Sequence, residues 1–86
     1  MKPLNLPPSE SNPIRLWRQK KGLSRLQLAR LLGISYALLS DIECGYPARL
    51  PDRFVQALLS LEFPDEEVGS LLSAYVRWRH GKGDVR

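Results

Sequence analysis

Apolar residues recur three and four apart along most of the chain, and no segment alternates with the period of a strand. From Leu23 to Gly45 the sequence reads LSRLQLARLLGISYALLSDIECG, the pattern of two short helices joined by a tight turn. Leu28, Ala29 and Leu32 form one apolar stripe on the first of these helices. Ser24 stands at its start, where a hydroxyl accepts one of the amide protons that have no partner inside the helix. Gly33 ends it, in the left-handed conformation that costs little without a Cβ. Ser35 caps the second helix, which buries Leu39 and Ile42 and stops at Gly45. Ala29 lies one turn before Gly33, where the two helices cross too closely for a larger side chain.

The same patterning extends to both sides. Asn12 followed by Pro13 predicts a helix start, a capping side chain and then a ring that presets the first helical φ. That helix runs to about Lys21, with Ile14 and Trp17 facing inward and Gly22 closing it. The helix-turn-helix occupies about 24–44, its members at about 24–32 and 36–44. A loop of Tyr46, Pro47, Ala48, Arg49 and Leu50 follows, and Pro51 opens a fourth helix with the stripe Phe54, Val55, Leu58, Leu59 and Leu61. Pro64 with Asp65, Glu66 and Glu67 marks a fifth start, acids being favoured at the positive end of the helix dipole. This extra C-terminal helix, about 64–80, carries Val68, Leu71, Leu72, Tyr75, Val76 and Trp78. The organisation predicted is a flexible arm at 1–11, one domain at 12–80 and a polar tail at 81–86. The fold class is all-α with five helices.

Composition narrows the reading further. The chain has 86 residues, 43% of them hydrophobic, enough for a modest core in a single domain. No apolar run approaches the roughly 18 residues that span a bilayer, and the first residues lack the apolar core of a signal peptide. A cytoplasmic protein without a membrane partner is expected. One cysteine, Cys44, and one histidine, His80, make neither an internal disulfide nor a metal site. No cofactor is expected, and the chain lacks paired carboxylates, a Ser/His/Asp set and a phosphate-cradling glycine loop, so it is not expected to be an enzyme. The net charge of +4 is unevenly spread: residues 1–60 hold nine bases against four acids, residues 61–86 four against five. The excess positive charge therefore falls on the helix-turn-helix half, as a phosphate-binding surface requires.

Leu28, Ala29, Leu32, Gly33, Ile34, Leu39 and Ile42 match the apolar, Ala, apolar, Gly, apolar, apolar, apolar pattern of one family. At these residues the chain resembles the lambda-repressor-like (Cro/C1, Xre) helix-turn-helix DNA-binding regulators, from about Ile14 to about Leu61. The resemblance implies that the second helix of the motif lies in the major groove and the first braces it across the backbone. Tyr36, Ala37 and Asp41, with Ser40 close by, would face base edges. Arg25, Tyr46 and Arg49 would meet phosphates, with Lys20 and Lys21 adding attraction. The reading face lacks the Arg, Asn and Gln that usually make bidentate base contacts, so specificity would lean on a methyl contact from Ala37, on shape and on phosphate geometry. In the family an arginine like Arg18 pairs with a glutamate like Glu43, a structural clamp between the first and third helices.

Four leucines, Leu16, Leu26, Leu31 and Leu38, occupy places that amphipathic patterning leaves polar. They are expected to pack internally or against the fifth helix; left exposed, they would form a patch for a protein. Cys44 reads as a small helix-end residue and His80 as a solvated tail residue. The broad stripe of the fifth helix suggests dimerisation, with Leu72, Tyr75, Val76 and Trp78 as candidates, which suits two-fold reading of palindromic half-sites. The alternative is that Tyr75 and Trp78 close the monomer's own core. The function expected is a DNA-binding transcriptional regulator on double-stranded DNA, of the Cro/C1 type. The alternative is an interaction module that keeps the fold and uses its second and third helices to bind a protein partner.

Overall fold

In the computed structural model, which describes residues 7–84, the first three α-helices each begin where a local side chain accepts from one of their first amide groups. Residues 1–6 of the expected arm and 85–86 of the expected tail lie outside the described residues. Helix α1, Pro13–Lys20, starts with Asn12 Oδ1 accepting from the Ile14 amide at 2.8 Å. Helix α2, Arg25–Leu32, opens on a reciprocal box. Ser24 Oγ accepts from the Gln27 amide at 3.0 Å, and Gln27 Oε1 accepts from the Ser24 amide at 2.8 Å. Helix α3, Tyr36–Cys44, is capped by Ser35 Oγ accepting from the Leu38 amide at 3.0 Å. Each such cap stabilises its helix by about 1 kcal/mol. Gly33 and Gly45 end α2 and α3 at φ of 68° and 85°, left-handed values that a Cβ would disfavour.

Helix α4 spans Asp52–Ser60, with Pro51 just outside it, and α5 spans Asp65–Asp84 with three acids in its first turn. The helical backbone of α5 therefore runs on past residue 80, into the segment read as a tail. The end of the expected arm is also ordered. Ser9–Ser11 form a 3-10 turn, Ser11 Oγ accepts from the Trp78 indole N–H at 2.9 Å, and Ser9 Oγ accepts from Arg15 at 3.4 Å.

Helix α2 packs on α3 and α4, α1 packs on α3 and α5, and α4 packs on α5. Ile14, Leu28, Leu39, Ile42, Phe54, Leu58 and Tyr75 are wholly buried at the centre, and Ala29 is nearly so at the α2 crossing. Burying side chains of this size stabilises the fold by about 1.5–3 kcal/mol each. Three of the four leucines depart from the expected internal packing: Leu16, Leu26 and Leu31 are each about half exposed, while Leu38 is half-buried against the core. The helical step explains this. At about 100° per residue, Leu26 and Leu31 lie more than a right angle from the middle of the Leu28–Ala29–Leu32 stripe, on opposite flanks. Leu16 lies nearly opposite Ile14 and Arg18. Leu59, expected in the α4 stripe, is likewise exposed beside buried Phe54 and Leu58.

Candidate nucleic-acid interface

Burying Leu39, Ile42 and Glu43 turns the opposite face of α3 outward, where Tyr36, Ala37 and Asp41 are exposed and Ser40 is half-buried. The C-terminal end of this helix is fixed from α1. Asn12 Nδ2 donates to the carbonyls of Ile42 and Glu43, both at 2.9 Å. Arg18 donates through Nε to Glu43 Oε2 at 2.7 Å and through Nη2 to Oε1 at 3.0 Å, both side chains being buried. Its Nη1 donates to the Leu23 carbonyl at 2.9 Å, tying down the chain that enters α2. No buried side-chain polar atom among the described residues lacks a partner. A buried ion pair with its lone pairs satisfied escapes most of the desolvation cost that would otherwise oppose it.

Arg25 joins this cluster from the start of α2. Its Nε donates to Glu43 Oε1 at 3.2 Å, its Nη1 donates to Ser40 Oγ at 3.1 Å, and its guanidinium lies 5.8 Å from the centre of the Tyr36 ring. Partial burial works against the Arg25 charge, but the charge and hydrogen bond of Glu43, aided by Tyr36, outweigh it and raise its pKa above the ordinary arginine value. The arginine missing from α3 itself is thus laid across the α3 surface by α2, beside two of the side chains expected to face bases.

The residues expected to meet phosphate divide. Lys20, Tyr46 and Arg49 are exposed. Lys21 is not presented in the same way: its Nζ lies 3.0 Å from Glu67 and over the rings of Trp17 and Phe63. The Trp17 indole N–H also donates to Glu67 at 2.7 Å, and these two donors, Trp17 first, hold the Glu67 carboxyl below its usual range. Both side chains of the Lys21–Glu67 pair keep about a third of their surface exposed, so it is a surface pair beside the α1–α5 contact.

Two of the four dimer candidates belong inside the monomer. Tyr75 is fully buried and its hydroxyl donates to the Pro47 carbonyl at 2.7 Å. Trp78 packs against Gly45, where an added Cβ would fall 2.7 Å from its ring. Leu72, half-buried, and Val76, exposed, remain on the outer side of α5. His80 also departs from the solvated-tail reading, since its Nε2 is 2.8 Å from the Ala48 carbonyl. A carbonyl only accepts, so that nitrogen carries a proton. Arg79 Nε donates to the Gly45 carbonyl. None of these bonds to the loop was readable from the sequence, because they join residues about thirty positions apart through side chains of ordinary helix-tail type. The amide of Asn12 was missed for the same reason, although its capping oxygen was signalled by Pro13.

The family model described as Helix-turn-helix matches residues 14–61, more than half of the chain. The chain belongs to this family, the Cro/C1-type, lambda-repressor-like DNA-binding domains. Neither a curated protein nor a solved structure matches it. Helix α5 lies beyond the matched segment. No helix of the described residues is long and apolar enough to cross a membrane.

Proposed function

We propose that this chain is a sequence-specific, cytoplasmic DNA-binding transcriptional regulator that lays α3 in the major groove of double-stranded DNA. The observation that carries this reading is the outward face of α3, open at Tyr36, Ala37 and Asp41 and crossed by an arginine held at a fixed place. Tyr36, Ala37, Ser40 and Asp41 face the bases, Ala37 offering a methyl to thymine and Asp41 accepting from a cytosine amino group. Arg25, Lys20, Tyr46 and Arg49 meet the phosphates. Two copies meet through Leu72 and Val76 on α5 and address two half-sites one helical turn apart. Selection of bound duplexes from a random pool, followed by titration at low and moderate salt, tests this. Saturable binding to a preferred site that weakens steeply with salt is expected, because each phosphate contact releases counterions. Absence of binding at low salt overturns it.

The half-exposed Leu26 beside the α3 surface favours a second reading, a protein-interaction module built on the same fold. Leu26 and Leu31 lie on opposite flanks of α2, so they do not make one continuous patch, and the regulator reading stands ahead of it. Loss of a partner protein on Leu26→Ser substitution, with no duplex bound by the unsubstituted chain, is the result that reverses the order.

A further inference from the structure

Helix α5 lies outside the segment shared with the family, yet it makes an unusual set of contacts to the loop that follows α3. Tyr75, Arg79 and His80 each donate to a different loop carbonyl, those of Pro47, Gly45 and Ala48. Trp78 closes on Gly45 from the same helix. Residues 75, 78 and 79 share one helical face and His80 follows them, so one rigid element holds three loop residues, Gly45, Pro47 and Ala48. The exposed side chains of that loop are Tyr46, Ala48 and Arg49.

The peptide unit is planar and trans, so a carbonyl aimed at α5 turns the next amide N–H the opposite way. The amides of Ala48 and Arg49, which follow the carbonyls of Pro47 and Ala48, therefore point away from α5. Neither is used in the backbone hydrogen bonds among the described residues, whereas the Tyr46 amide is, donating to the Asp41 carbonyl at 3.1 Å. Outward amides beside an arginine are the donor set that a phosphate takes.

We propose that α5 is the positioning element of the DNA-binding face. Tyr75 and His80 hold the Pro47 and Ala48 carbonyls inward, so that the Ala48 and Arg49 amides and the Arg49 guanidinium meet one backbone phosphate without ordering on contact. This rests on the DNA-binding reading and adds to it an element outside the motif. Tyr75 and His80 are positioning residues and touch no nucleic acid. Fixing the loop beforehand removes an ordering cost from binding.

The test is a set of anisotropy titrations of the full chain on its selected duplex over a salt series. Tyr75→Phe removes only a hydroxyl, and Arg49→Ala removes the cation. Arg49→Ala lowers the slope of log affinity against log salt by roughly 0.9. Tyr75→Phe weakens binding about two- to tenfold and lowers the slope in the same direction. In the Arg49→Ala background Tyr75→Phe has much less effect. Should Tyr75→Phe fail to fold, His80 supplies the second arm, with binding weakened by His80→Ala and restored by His80→Gln, whose amide can donate to the same carbonyl. Tyr75→Phe binding with wild-type affinity and slope, or costing the same factor in both backgrounds, overturns the proposal while the DNA-binding reading stands. An unsubstituted chain that binds no duplex at low salt overturns both.

Discussion

Glu43 receives Arg18 on both carboxylate oxygens, at 2.7 and 3.0 Å, with the two side chains buried between α1 and α3. The same carboxylate also takes Arg25, which reaches on to Ser40 and Tyr36. One acid therefore joins the packing of the first helix to the placement of a cation on the α3 surface. Without it, α3 loses its clamp and Arg25 its anchor together.

Replacing Glu43 with alanine leaves the Arg18 guanidinium buried without a counter-charge, which costs about 3–5 kcal/mol. At about 4–8 °C per kcal/mol for a domain of this size, the melting temperature falls by more than ten degrees. Calorimetry of the substituted chain checks this, and an unchanged melting curve contradicts the clamp.

Asn12 performs two tasks, capping α1 and donating to the last carbonyls of α3. Asn12→Ala loses both, for about 2–3 kcal/mol in total. Asn12→Ser keeps a capping oxygen but no amide, and recovers about 1 kcal/mol of that loss. Urea unfolding of the pair separates the two contributions; equal stabilities for the alanine and serine variants contradict the capping role.

Gly33 and Gly45 have the same left-handed backbone and different surroundings. A Cβ on Gly33 meets nothing within 4 Å, whereas one on Gly45 falls 2.7 Å from the Trp78 ring. Gly33→Ala accordingly costs only the conformational penalty of about 1–2 kcal/mol. Gly45→Ala costs more, because Trp78 must leave its place and release its bond to Ser11. Thermal melts of the two variants side by side give the comparison; equal losses place Trp78 elsewhere.

Burial pushes the Tyr75 hydroxyl up to about 12 from its ordinary 10, against a smaller opposing effect of Arg79. The folded chain keeps this proton at pH values where the unfolded chain loses it. Its contribution is therefore complete below pH 10 and declines as pH rises toward 12, by on the order of 2–3 kcal/mol. Tyr75→Phe flattens the alkaline limb of the stability curve. Glu67 acts at the other end: its carboxyl is held low, so its stabilisation is present above pH 4.5 and is lost as pH falls through the lower folded value. Glu67→Gln reduces the acid dependence, read from urea midpoints between neutral and acid pH.

Much of the fold was legible because helix boundaries are set locally. Asn12–Pro13, Ser24, Ser35, Gly33 and Gly45 each set a helix end within four residues of themselves, and the stripe Leu28, Ala29 and Leu32 needs only the helical period. The surface was less legible. The exposure of Leu31 follows from the helical step alone, but the partner of Lys21 lies 46 positions away at Glu67. Arg25 leaves no signal along α3 itself, because it stands on α2 and reaches the α3 surface at Ser40 and Tyr36. The grip of α5 on the Gly45, Pro47 and Ala48 carbonyls has no sequence signature, since backbone carbonyls are present at every residue.

The most direct test of the account is amide chemical-shift mapping of the chain on addition of its selected duplex. Perturbations concentrated at Tyr36, Ala37, Ser40 and Asp41 and at Tyr46, Ala48 and Arg49 are predicted, with Leu16 and Glu67 unmoved. Perturbations centred on Leu16 and Lys21, with the α3 surface silent, would contradict it.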